Sequence, residues 1–90
     1  MRYSVMVSEE AFKQLKKLDL QQRAFVMSYI RKKLDGMENP RQTGKDLTGE
    51  FKGLWRYRAG DYRIVCDIQD DRVVIVVVAV GTGKIYTNKI

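Results

Sequence analysis

The run Val73 to Val80, reading VVIVVVAV, restricts what this chain can fold into more than any other segment. Eight consecutive apolar residues fall far short of the roughly 20 that a membrane-spanning helix needs. All but Ala79 are β-branched, and such side chains are stiff and suit a strand. A strand apolar on nearly every residue belongs inside a sheet covered on both faces. The remainder of the chain must therefore supply neighbouring strands and a covering layer.

The covering layer is legible upstream. Tyr3 to Val7 alternates weakly and is rich in β-formers, which predicts a first strand. Ser8, followed by Glu9 and Glu10, has the form of a helix N-cap with acidic first-turn residues. Phe12, Leu15 and Leu18 then recur at helical spacing. Asp19 with Gln22 three residues on resembles a second capping box. Val26, Ile30, Leu34 and Met37 mark the buried stripe of a longer helix that ends near Gly36, before Pro40. The link around Asp19 is short, so the two helices are expected to form an antiparallel hairpin.

From Asn39 to Gly53 the chain is polar and glycine-containing and is read as a loop. Three strands are expected after it: Leu54 to Arg58, Tyr62 to Gln69 and Arg72 to Val80, with Asp70-Asp71 turning the chain between the last two. Gly81 and Gly83 should break the last strand, with Ile85 to Thr87 as a short edge strand. The expected fold is α+β: an N-terminal strand, a two-helix hairpin, then an antiparallel β-meander packed on the helices. Ninety residues fit a single domain spanning residues 1–90.

Seventeen Lys and Arg against eleven Asp and Glu give a formal charge of +6, which favours a polyanionic partner, either nucleic acid or an acidic protein segment. Cys66 is the one cysteine, which excludes an internal disulfide and points to a buried thiol in a reducing compartment. With no histidine and a single cysteine, a zinc or iron site is not expected, nor is a cofactor. The N-terminus shows no signal-peptide pattern, so a cytoplasmic location is expected.

Charge concentrates in Trp55-Arg56-Tyr57-Arg58-Ala59-Gly60-Asp61-Tyr62-Arg63. Alternation puts Arg56 and Arg58 on one face of a strand, opposite Trp55 and Tyr57. A two-residue turn at Ala59-Gly60 sets Arg56 across from Arg63; a turn at Gly60-Asp61 sets Arg58 there. Either register gathers all three arginines on one face, whereas a three-residue loop pairs Arg63 with Tyr57 and disperses them. Like charges directly opposite are destabilising, so the cluster needs a reason. One reason is a phosphate clamp, since each guanidinium presents a planar fork of donors. The others are a solvated face with Asp61 and Asp67 as counterions, or a dock for an acidic protein. Lys45 and Lys52 are candidates to extend the basic track toward RNA. Trp55 and Tyr57 suit the core, and Tyr86 is the aromatic best placed for exposure. Gly81-Thr82-Gly83-Lys84 superficially suggests a phosphate loop but lacks its spacing and following helix.

The pattern Lys45-x-Leu47-x-Gly49, then Gly53-Leu54-Trp55-Arg56-Tyr57-Arg58-Ala59-Gly60-Asp61-Tyr62-Arg63, then an apolar strand ending Val80-Gly81 and a late Tyr86, resembles the RelE branch of the RelE/ParE toxin superfamily over nearly the whole chain. That resemblance implies the toxin of a type II toxin–antitoxin pair, neutralised by a cognate acidic antitoxin in a hetero-oligomer. It also implies a metal-independent endoribonuclease that cuts mRNA in the ribosomal A site and inhibits translation. In such enzymes a 2′-hydroxyl attacks the adjacent phosphate in line, leaving a 2′,3′-cyclic phosphate and a 5′-hydroxyl. By position, Arg56, Arg58 and Arg63 are implied to hold the scissile phosphate, and Tyr86 to orient or stack on the substrate. The family often places a titratable lysine in the basic pair, where this chain has arginine. It commonly has histidine or arginine after the Val-Gly that ends the last long strand, where this chain reads Thr82-Gly83-Lys84. Lys84 is the nearby replacement as leaving-group acid or phosphate ligand. The ParE branch shares the fold and inhibits DNA gyrase without catalysis. That role is the alternative, along with a weakened toxin kept as an antitoxin-binding module.

Overall fold

The computed structural model describes residues 1–82. In chain order the elements are β1 (Ser4–Val7), α1 (Glu9–Lys16), α2 (Leu20–Tyr29) continued by a π-helical turn (Ile30–Leu34), β2 (Lys45–Asp46), a 3₁₀ turn (Gly49–Phe51), β3 (Trp55–Ala59), β4 (Tyr62–Gln69) and β5 (Val74–Thr82). The strands form one sheet in the order β1-β5-β4-β3-β2. β1 runs parallel to β5, and all other neighbours are antiparallel. The expected α+β architecture, a helical hairpin on a β-meander, is the one observed.

Both helix starts form as their sequences predict. Ser8 Oγ accepts the Ala11 amide at 3.1 Å, and Asp19 Oδ1 accepts the Gln22 amide at 2.8 Å. Gln22 does not close the capping box with its side chain; it accepts a hydrogen bond from the Tyr62 hydroxyl instead, joining α2 to the sheet. The helix ends where Gly36 takes φ +88° and donates to Tyr3 O at 2.8 Å, so its exit is sewn to β1. Val26, Ile30 and Leu34 are fully buried, as their spacing requires, and Met37 packs against them. Phe12 departs from the expected stripe. It is 52% exposed, with Lys16 Nζ 5.4 Å from its ring centroid, while Ala11 and Leu15 turn inward.

The core lies between the helices and one face of the sheet. Tyr57, Ala59, Tyr62, Ile64, Cys66, Ile75 and Val77 pack there against Ala11, Leu15, Val26, Ile30 and Leu34. β5 occupies the interior position that its composition predicts, but the helices cover one face only, and Val74, Val76 and Val78 are just partly buried. Two further differences appear. The strand continues through Gly81 to Thr82, paired with Arg63 and Tyr62, where a break was expected. A β-bulge also leaves Val78 without a partner between the pairs Cys66↔Val77 and Val65↔Ala79. Side chains thus change face along the strand, and both Ala79 and Val80 become buried. The region read as a loop contains β2 and the 3₁₀ turn.

The β4–β5 turn spans residues 70–73 and holds Val73 at φ +54°, a conformation a β-branched residue adopts only when its surroundings impose it. Ser4 N–H donates to Val73 O at 3.1 Å. Asp70 accepts two 3.0 Å bonds from Arg41 and one of 2.6 Å from Tyr3 Oη, which together hold its carboxyl below the usual range.

Cys66 is fully buried, and burial, reinforced by the charge of Asp67, pushes its thiol above the ordinary 9.0. A folded-state value above the unfolded one means that folding favours the neutral thiol. That contribution is complete below pH 9 and is lost as pH rises further. The native protein should therefore resist an aromatic disulfide reagent at neutral pH, with thiol release tracking unfolding in urea. Rapid labelling of the native state would contradict this burial.

Candidate phosphate-binding face

The arginine face is built by the turn between β3 and β4. Ala59 pairs with Tyr62 and Arg58 with Arg63, so Gly60-Asp61 are the two central turn residues. Gly60 has φ +59° and Asp61 does not have positive φ. This is the pattern of a type II′ hairpin turn, which wants glycine at its first central position. The alternative register would put Ala59 there, where its Cβ is penalised. Phe25 of α2 lies against the turn, 3.2 Å from where a Cβ on Gly60 would sit.

Two adjacent rows of cations result. Arg58 stands opposite Arg63, which in turn pairs with Gly81. In the next row Lys45 of β2 pairs with Arg56, Arg56 with Val65 and Val65 with Ala79. Cross-strand partners share a face, so Lys45, Arg56, Arg58 and Arg63 all project from the side of the sheet away from the helices. Val65 and Ala79, both buried, form the apolar floor beside them. An open pocket of about 320 Å³ is lined by Tyr29, Thr43, Gly44, Lys45, Arg56 and Arg58. A second of about 310 Å³ is lined by Arg58, Gly60, Asp61, Arg63 and Thr82. Arg58 belongs to both.

The counterion explanation does not hold for Asp61 or Asp67. Among the described residues the ion pairs are Lys13–Glu9 at 3.8 Å and Arg41–Asp70 at 3.0 Å, and neither touches this face. Asp67 accepts from Gln69 Nε2 at 2.9 Å. Among the described residues Lys45, Arg56 and Arg58 form no ion pair or side-chain hydrogen bond, and their donors suit an anion, whether a phosphate or a carboxylate.

Lys45 was expected only to extend a basic track, yet it is a full member of the cluster. Lys52 is not. It sits beyond the 3₁₀ turn beside Leu47, Leu54 and Trp55, at the end of β3 remote from the Gly60-Asp61 turn. Trp55 and Tyr57 face the core as expected: Trp55 Nε1 donates to Thr43 O at 2.8 Å, and the Tyr57 hydroxyl donates to Pro40 O. Lys84, Tyr86 and the expected edge strand Ile85–Thr87 lie outside the described residues. Gly81-Thr82 belongs to β5, so the glycine-rich segment does not begin as a phosphate loop.

Gly44 was missed, and its role is steric. It has φ +86°, and a Cβ there would sit 2.5 Å from Arg56 O and 2.6 Å from Trp55 Nε1. No side chain fits, and the backbone must pass this closely for Lys45 to reach Arg56. Gly44→Ala should destabilise the protein by about 1–3 kcal/mol through strain and displacement of β2. Thermal unfolding and the emission of the single tryptophan, Trp55, should both report it.

The family described as the ParE toxin of type II toxin–antitoxin systems matches residues 5–85. The chain belongs to the RelE/ParE toxin superfamily. A RelE-like toxin protein of Escherichia coli is 34% identical to this toxin over 83 residues, which are 90% of this chain and 83% of the relative. Among solved structures, the RelBE2 toxin–antitoxin complex of Mycobacterium tuberculosis aligns with a TM-score of 0.83 at 28% identity, covering 92% of this chain and 93% of its counterpart. The isolated RelE toxin of Escherichia coli aligns at 0.67 and 25% identity, covering 96% and 93%. The two-row cation face is therefore a surface of a toxin-family protein.

Proposed function

We propose that this toxin is a ribosome-dependent mRNA endoribonuclease that cleaves mRNA in the ribosomal A site and so inhibits translation. The observation that carries this reading is the direct pairing of Arg58 with Arg63 beside Arg56 and Lys45. Such a pairing costs stability in the free protein and is offset when a phosphate bridges the cations. During in-line attack the phosphorane gains negative charge, and preoriented guanidiniums stabilise that charge more than the ground state. The products are a 2′,3′-cyclic phosphate and a 5′-hydroxyl. In this reading Tyr86 stacks on a base and Lys84 binds phosphate.

An acidic antitoxin is the partner that restrains this activity in a hetero-oligomer. The RelBE2 and Escherichia coli RelBE neighbours are toxin–antitoxin complexes, and a +6 chain suits an acidic segment. Purified protein incubated with programmed ribosomes should produce A-site cuts mapped by primer extension. Absence of cuts at adequate protein concentration would sink the nuclease reading. The match to the ParE family favours one rival, a non-catalytic inhibitor of DNA gyrase on the same fold. Supercoiling blocked at low toxin concentration, with translation intact, would establish that rival.

A further inference from the structure

We propose that Asp61 accepts the proton of the attacking 2′-hydroxyl, an inference that rests on the nuclease reading above. Arginine remains protonated at any working pH, so Arg56, Arg58 and Arg63 stabilise charge but cannot take a proton. Among the described residues, the carboxylate lining the pocket of Arg58 and Arg63 is that of Asp61.

Three observations set Asp61 apart from an ordinary turn aspartate. It lines a pocket with two guanidinium residues yet forms no ion pair or hydrogen bond among the described residues, so its oxygens are not consumed as counterions. Its backbone is anchored on both sides: Gly60 before it lies beside Phe25, and Tyr62 after it is buried and hydrogen-bonded to Gln22. An anchored turn limits the reorganisation that a proton acceptor on it needs. Finally, a carboxylate beside a phosphate site ordinarily weakens anion binding. The flanking guanidiniums offset that repulsion and let it remain within reach of a sugar hydroxyl next to the bound phosphate.

The step balances without a further reactant. The 2′-oxygen forms a bond to phosphorus while its proton passes to an Asp61 oxygen. The bond from phosphorus to the 5′-oxygen breaks, and its electron pair leaves with that oxygen, which is protonated by water. Asp61 then returns its proton to solvent.

The test compares single-turnover cleavage on programmed ribosomes with binding to the same ribosomes carrying a 2′-deoxy nucleotide at the attacking position. Asp61→Asn should slow cleavage about 100-fold. Its binding should hold or tighten, because a negative charge leaves a cationic site. Asp61→Glu should recover about tenfold over the Asn variant, and both variants should keep the wild-type unfolding midpoint, since Asp61 is exposed. Cleavage by Asp61→Asn within about threefold of wild type, or parallel loss of cleavage and binding, overturns the assignment while leaving the nuclease reading intact. Absence of cuts from the wild type overturns both.

Discussion

Arg63→Ala should lower A-site cleavage by about 10²–10³-fold, the scale on which removal of one preoriented transition-state donor acts. The rate loss should far exceed any change in stability, because the substitution removes Arg63's own contacts but also relieves its repulsion with the Arg58 directly opposite. That disproportion makes the prediction specific: a purely structural role would lower activity and the melting temperature together. Single-turnover rates and thermal unfolding on one preparation decide it. Arg63→Lys should recover only part of the rate, since an ammonium brings charge without the planar fork. A full-rate alanine variant would remove Arg63 from the proposed mechanism.

The largest loss of stability should come from Leu34→Ala. Leu34 is fully buried at the end of the π-helical turn, where the helical layer meets β1. Removing its side chain leaves a cavity in a layer pinned on one side by the bonds between Tyr3 and the segment at Gly36 and Met37. Such truncations cost about 2–5 kcal/mol. In a domain of this size each kcal/mol moves the melting temperature by roughly 4–8 °C, so a fall on the order of 10 °C or more is expected. A change under about 1 kcal/mol in urea unfolding would show that the site collapses around the gap.

Much of this fold could be read locally. Ser8 and Asp19 announce helix starts because capping needs only residues three apart. Val26, Ile30 and Leu34 announce a buried face because their spacing is the period of the helix itself. The apolar run of β5 marks an interior strand because consecutive β-branched residues suit a strand and leave it no polar edge to expose. The misses were non-local. β2 is two exposed residues that form a strand only because Gly44 lets them approach β3. Phe12 fits the helical spacing yet is half exposed, since the sheet receives Ala11 and Leu15 instead. β5 runs past the glycine expected to end it because Gly81 and Thr82 find ladder partners in Arg63 and Tyr62.

The candidate site divides along the same line. From alternation alone, Arg56, Arg58 and Arg63 share a face under any two-residue turn, and that much belongs to the sequence. Which arginine opposes Arg63 was settled by Gly60 at positive φ with Tyr62 anchored on α2. The entry of Lys45 and the exclusion of Lys52 were settled by a strand pairing that a one-dimensional pattern does not contain. The sequence by itself determined how much charge the hairpin carries and that it gathers on one side of a strand, because those properties follow from composition and a period of two. Only the tertiary structure decided which cations become neighbours, because cross-strand adjacency depends on how distant segments pack to bury the opposite face.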